Sequence, residues 1–443
     1  MNCSGLLIAF LAAGIFTQLP LNIYFILVGG IASLILIYYR LEWGIGFFIA
    51  SMLYEKQLLI GEISLTRLVG LPILLICIIK ILLRQKKIYF NKITDSIILT
   101  LFLWMCLSVF YAKNVNLVRE SLLTYLQLIV SYIIIKSVVD NEIELQKLIK
   151  VVIFFSIGIV VFSMIKFISN QDMLLIDIYH SNHRIIGPSD DPNKLALGLI
   201  FILPLSIYMF IKENKIYLIP VAIFSFIILC TFSRGGIIGM VVASVLSVME
   251  LNRNFKKGLV YSLIFILILT GSFMAINKGN KMLNRIKSIQ NLEDGSIKVR
   301  RDMVITAIDM AIKNPLTGVG LNNFMENSHL YGNRIHYRRA SHNGYLDVLA
   351  KLGLPGFLLL LGLLYFTYKN FLIYENYANK NNLQDNLIMV RFIKISFIAY
   401  LVSAFFLSLL ANKLFWVLLA FSNILFKSYQ NKERYKNTRS ISD

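Results

Sequence analysis

What most constrains this chain is a series of continuous apolar blocks, each close to the roughly 17–25 residues a helix needs to cross a hydrocarbon core of about 30 Å. Short charged breaks separate them. The chain is 57% hydrophobic and only 15% charged, with a mean hydropathy of +0.70. Globular domains carry about 25% charged residues, so an ordinary soluble domain is excluded. A transmembrane β-barrel is excluded too, because the runs are continuous and do not alternate. The expected fold is an all-α polytopic bundle, since a helix satisfies its own backbone polar groups within lipid.

Apolar runs fall near 4–19, 21–39, 43–54, 64–83, 95–112, 119–138, 146–167, 192–212, 215–232, 234–251, 257–276, 350–371, 388–410 and 412–427, which predicts 12–14 crossings with the third short or re-entrant. The chain then divides into N-terminal spans (1–167), a loop (168–191), further spans (192–276), a long loop (277–349), C-terminal spans (350–427) and a basic tail (428–443). Cys3, Cys77, Cys106 and Cys230 lie in or beside apolar runs without a CxxC pair, so they read as small buried apolar residues. The start lacks the basic region and cleavage site of a signal peptide, so its first apolar run reads as a retained helix.

Orientation follows from the cations of the short connections. Arg40; Arg84, Lys86, Lys87 and Lys92; Lys212 and Lys215; Arg253, Lys256 and Lys257; and the tail residues Lys427, Lys432, Arg434, Lys436 and Arg439 all fall on one side. That side is expected to be cytoplasmic, with both termini on it. The formal charge of +20 is then mostly topological and requires no nucleic-acid partner. Both long loops fall on the opposite, external face. Between residues 277 and 341 there are eleven Lys/Arg against five Asp/Glu, a balance suited to an anionic ligand. All five histidines (His180, His183, His329, His336 and His342) lie in these two loops. Histidine is the side chain best suited to proton transfer near neutral pH.

Four motifs lie on that face. In His183-Arg184-Ile185-Ile186-Gly187-Pro188-Ser189-Asp190-Asp191-Pro192-Asn193, Asp191 and Pro192 read as the N-cap and first residue of a helix. A carboxylate metal site at Asp190 and Asp191 lacks a third ligand nearby. Arg184 fits either a guanidinium fork for phosphate oxygens or a snorkelling interfacial arginine. In Thr231-Phe232-Ser233-Arg234-Gly235-Gly236, a tight hairpin holds Arg234 near the outer membrane edge. Ser233 caps the next helix, and the glycines admit another backbone or a ligand. A charge at that depth faces a cavity, a partner or a lipid headgroup.

The third motif is a helix over about 297–313, in which Val304, Ala307, Ile308 and Ala311 recur at helical spacing, as in a helix lying on the interface. Arg300 and Arg301 lie near its start, where a helix N-terminus favours anions. Asn314-Pro315 stops it and Thr317-Gly318-Val319-Gly320 follows as a turn. The fourth is Ser341-His342-Asn343-Gly344-Tyr345-Leu346-Asp347, running into Lys351 and Gly353. Ser341 reads as an N-cap, which puts His342 in the first turn, where the dipole favours the neutral imidazole that a general base requires. Asp347 and Lys351, four apart, read as an ion pair, with Asp347 as an orienter of His342 the alternative.

Arg184 with Asp191-Pro192-Asn193, then Ser233-Arg234-Gly235, then Arg300 with Asn314-Pro315-Leu316-Thr317-Gly318-Val319-Gly320, then His342-Asn343 with Gly353, resembles the O-antigen ligase and polymerase superfamily. The likeness covers about residues 180–360 by motif. It implies a multi-pass glycosyltransferase of a bacterial inner membrane, working in surface-polysaccharide biosynthesis. Its donor would be a glycan on a polyprenyl diphosphate, and its acceptor a glycan or lipid-glycan on the external face. By the same likeness Arg184 and Arg300 engage the diphosphate and His342 is the base, and Arg234, on the same face, reads as a third cation for the charge developing on the leaving group. Asn343, Asn193, Arg301, Gly318 and Gly320 would support them. Val304 departs from the family pattern, which has an aromatic residue four positions after Arg300. Arginines beside the leaving group predict inverting transfer with no metal and no cofactor. Polymerisation is favoured over ligation. The rival class is a lipid-linked-glycan flippase or another transporter, which would place ionisable or broken-helix sites near the midplane.

Overall fold

The computed structural model describes residues 37–53, 64–169, 191–251, 295–332 and 340–442. Among them the chain is helical and contains no strand. The helices are α1 (Leu41–Ser51), α2 (Leu65–Leu82), α3 (Lys92–Leu107), α4 (Val115–Val138), α5 (Glu142–Ser169), α6 (Pro192–Lys212) and α7 (Leu218–Cys230). They continue as α8 (Arg234–Leu251), α9 (Gly295–Lys313), the single turn α10 (Phe324–Asn327), α11 (Gly344–Lys380), α12 (Gln384–Ser403) and α13 (Lys413–Ser442). Among the described residues seven are long and apolar enough to cross a membrane: α2, α3 with its extension to Phe110, α4, α6, α8, α11 and α12. The apolar runs at 4–19 and 257–276, and most of that at 21–39, lie outside the described residues. The short third run is α1, whose 11 residues reach only about 16 Å.

Helix starts follow simple capping chemistry. Ser64, Asn91, Asn114, Asp191 and Asn343 each accept a hydrogen bond from a first-turn amide of the helix they precede. Ser233 and Asn412 do the same for α8 and α13. At the centre stands α6, buried along almost its whole length and packed on α7, α8 and α12. Cys77 and Cys230 are buried and Cys106 half-buried, all as free thiols, matching the reading of small apolar fillers.

The two ends of the bundle are held differently. At one end lie the cations of the short connections, and here ion pairs join helix to helix. Lys136 of α4 reaches Asp95 of α3, both buried, and Asp95 also accepts from Tyr132 Oη (2.6 Å) and the Asn91 amide (2.7 Å). Asp140 takes Lys86 and Lys427 (2.8 Å), and Glu142 takes Lys432. Arg391 joins Glu375 (2.8 Å) to Glu250, and Lys150 meets Glu213 (2.8 Å). We call this the basic end. The opposite end carries the described parts of the two long loops, and is the loop end.

Candidate functional site at the loop end

The site begins with two helix starts. Asp191 caps α6 by accepting from the Asn193 amide (2.7 Å), and also accepts from Asn193 Nδ2 (2.9 Å). Asn193, so oriented, accepts from Ser233 Oγ (2.8 Å). Ser233 in turn accepts from the Gly236 amide (3.2 Å), so one hydroxyl caps α8 and latches it to α6. Left-handed backbone at Phe232 (φ 50) closes the α7–α8 hairpin within three residues. Arg234 is the first residue of α8 and half-buried. The two glycines after it serve close helix packing. A Cβ on Gly236 would stand 2.6 Å from Ala196 Cβ, and one on Gly235 would stand 2.8 Å from Phe406 Cβ.

Phe406 belongs to the turn between α12 and α13, and His342 is fixed against the same turn. The Gly344 amide donates to Ala404 O (2.8 Å), and a Cβ on Gly344 would meet Leu407 O and Leu409 N at 2.8 Å. Tyr345 donates to Leu401 O (2.9 Å) and its ring lies 4.5 Å from that of Phe405. Here the structure corrects two expectations. Asn343, not Ser341, caps α11, accepting from the amides of Tyr345 and Leu346 at 3.0 Å. His342 therefore lies just before the cap and not in the first turn. It is exposed and left-handed (φ 52), and that bend carries Asn343 into capping position. Ser341 instead donates to Asp347 Oδ1 (3.0 Å), while Lys351 Nζ pairs with Asp347 Oδ2 (2.7 Å).

The glycine-rich turn after α9 repairs a break in α11. Gly353 is non-helical (φ 66, ψ −171), which interrupts the hydrogen-bond ladder. Val319 and Gly320 donate to Ala350 O (2.9 Å) and Lys351 O (3.0 Å), and Trp104 Nε1 donates to Leu352 O (2.9 Å). In return the Leu354 amide donates to Pro315 O (2.7 Å). Irregular backbone in a membrane protein is tolerated where neighbouring protein re-satisfies it. Gly318 and Gly320 are both at positive φ, and a Cβ on Gly318 would come 2.4 Å from the Lys351 carbonyl carbon while one on Gly320 would come 2.6 Å from Ala112 Cβ.

Around the turn, Tyr111 donates to Thr317 O (2.8 Å), and Asn323 clamps Asn114 by accepting from its amide (2.8 Å) and donating to its carbonyl (3.1 Å). No local pattern announces a pair 209 residues apart.

The third motif forms α9, stopped at Lys313 as Asn314-Pro315 predicts. Its inward face is Met303, Ala307 and Met310, packed with Val319, Phe324, Leu346 and Ala350. Of the expected apolar stripe, Ala307 packs inward, while Ile308 is exposed on the protein surface with Ile305 and Ile312. Two apolar stripes were available, and the neighbouring α11 selects the one containing methionines. Because α9 begins by Gly295, Arg300 and Arg301 lie beyond its first turn, where the dipole effect has faded. Arg300 is half-buried and Arg301 exposed.

Arg234, Arg300 and His342 thus belong to segments tied into one end of the bundle, with Asn193 and Asn343 as the polar joints that fix two of those segments. Arg184 lies outside the described residues, as do His180, His183 and His336. Among the described residues no cluster of His, Cys, Asp and Glu is arranged to hold a metal ion.

No curated protein matches the chain. The O-antigen ligase family model matches residues 219–361, about a third of the chain, spanning the Ser-Arg-Gly hairpin, α9, the glycine turn, His342 and the broken helix. That match supports the O-antigen ligase and polymerase superfamily, and with it a role in glycan processing at a membrane.

Proposed function

We propose that this protein moves a glycan from a polyprenyl-diphosphate carrier to a sugar hydroxyl at the loop end, which faces outward from the bacterial inner membrane, with both termini cytoplasmic. The acceptor oxygen attacks the anomeric carbon, forming the new glycosidic bond as the carbon–oxygen bond to the diphosphate breaks. His342 takes the hydroxyl proton. Arg184, Arg234 and Arg300 stabilise the charge that builds on the departing polyprenyl diphosphate. Backside attack inverts the anomeric configuration.

One observation carries this reading. Three of the four motifs sit on helix starts and an interfacial helix that converge on one end, held there by Ser233 with Asn193 and by the α12–α13 turn. A base and cations for a leaving diphosphate have to share a face, and a transporter would instead concentrate its polar groups near the midplane. The product we favour is a polymerised surface polysaccharide.

Two measurements test this. Purified His342→Ala protein, folded by its melting curve, should lose transfer from a lipid-linked glycan; near wild-type transfer sinks the assignment. A deletion strain should retain single repeat units and lose long chains. Full-length chains left on the carrier indicate ligation instead, and loss of all outward-facing carrier-linked glycan indicates a flippase.

A further inference from the structure

We infer that a trough between α1, α2 and α4 seats the isoprenoid chain of a carrier lipid, with Arg67 and Lys413 on its phosphate head. The inference rests on the transfer reading above and adds a binding place distinct from the three arginines already discussed. A cavity of about 530 Å³ runs along these helices. Its two ends differ in chemistry. Thr66, Arg67 and Lys413 line it at the loop end, whereas Leu71, Leu128 and Ile134 line it deeper along the bundle. Thr66 ties the mouth together, donating to Ser51 O (3.1 Å) and standing 3.5 Å from Lys413 Nζ. The last residue of α1, the second of α2 and the first of α13 therefore meet there, and two cations flank one opening.

Deeper in, the trough suits a hydrocarbon chain. Thr124 and Ser131, which also line it, return their hydroxyl protons to Glu120 O (3.0 Å) and Gln127 O (2.8 Å) of their own helix. From Thr124 to Ile134 the wall formed by α4 extends about 15 Å, half the thickness of a hydrocarbon core. The trough opens sideways past Leu71 and Leu126, 61% and 46% exposed, so a lipid enters from the bilayer. A mostly apolar channel, with Gln127 beside Thr124 and Ser131 as its deeper polar lining and two cations at its rim, is complementary to an anionic head on a long chain.

Its position also fits. Lys413 directly follows the turn on which Gly235 and Gly344 pack, the residues beside Arg234 and His342. A carrier lying in the trough would present its diphosphate alongside the transfer site.

The test uses full-length protein in nanodiscs and a photoreactive polyprenyl diphosphate, with polyprenol and phosphatidylglycerol as competitors. Labelled peptides should map to α2 or α4. The double variant Arg67→Gln/Lys413→Gln should reduce labelling at least about tenfold, as expected for losing a charge-assisted hydrogen bond. Arg67→Lys should retain most of it, and Leu74→Trp, which fills the trough, should reduce it by a similar factor. The His342→Ala protein should label as wild type, so failure of the transfer reading leaves this result standing. Unchanged labelling in both the double variant and Leu74→Trp overturns the inference. So does displacement by phosphatidylglycerol as efficient as by unlabelled polyprenyl diphosphate, which would make the trough an ordinary lipid site.

Discussion

The basic end and the loop end solve the same packing problem with different chemistry. At the basic end, carboxylates on one helix neutralise cations on another, as in Asp95 with Lys136 or Glu375 with Arg391. At the loop end, the helix-to-helix joints described above are amides, hydroxyls and backbone groups: Ser233 with Asn193, Asn323 with Asn114, Gly344 with Ala404. The ion pairs Lys313–Asp309 and Lys351–Asp347 are local, within single helices. Among the described residues, then, ion pairs between helices serve as structural glue at the basic end, while the helix-to-helix joints named at the loop end are mostly neutral.

If this division holds, substitutions at the two ends should separate activity from stability. The largest effect is expected for His342→Ala, with transfer about 10²- to 10⁴-fold slower and the melting temperature unchanged. A parallel loss of thermal stability would make His342 structural. At the opposite end Lys136→Met should behave inversely. Leaving Asp95 buried without its cation costs about 3–5 kcal/mol, read as a lower melting temperature with normal transfer per folded molecule. Adding Asp95→Leu should recover part of that loss.

Gly318→Val sharpens the comparison from within the loop end. Left-handed backbone alone costs about 1–3 kcal/mol, and the clash with Lys351 adds to it, so both stability and transfer should fall. Ser233→Ala removes a cap and the Asn193 latch together, for about 1–2 kcal/mol in a melting experiment.

The smallest effect concerns acid. Burial opposes ionisation of Asp140, yet hydrogen bonds and charge from Lys427 and Lys86 hold its carboxyl below the ordinary 3.8. A carboxyl depressed in the folded state contributes stability above its ordinary value and loses it as pH falls below that. Asp140→Asn should therefore lower stability at neutral pH and narrow to no difference in strong acid, in melting curves across pH.

How much could be read beforehand depended on the distance over which each contact acts. The caps at Asp191 and Ser233 were legible, because a cap is decided within three residues. The start of α11 was equally local but was placed at Ser341, and the left-handed bend at His342 brings Asn343 to the cap instead. The buried face of α9 was not legible, since Met303 and Met310 acquire their role only from Leu346 and Ala350 on α11. The Gly353 break and the Asn323 clamp were beyond reach for the same reason: their partners lie far along the chain. Gly318 and Gly320 looked like turn glycines, and they also let the turn approach the Lys351 backbone and the Ala112 side chain.

The stitched break in α11 has a consequence for how this region can change. Residues 315–320 pair two peptide carbonyls and one amide that the break leaves without a partner in their own helix. A surface connection usually drifts in length at little cost, but this one is sewn to its neighbour at three points. Deleting or adding a residue here would slide the stitches out of register and strip the helix beneath them. Variation should therefore accumulate on either side of this short stretch and spare it.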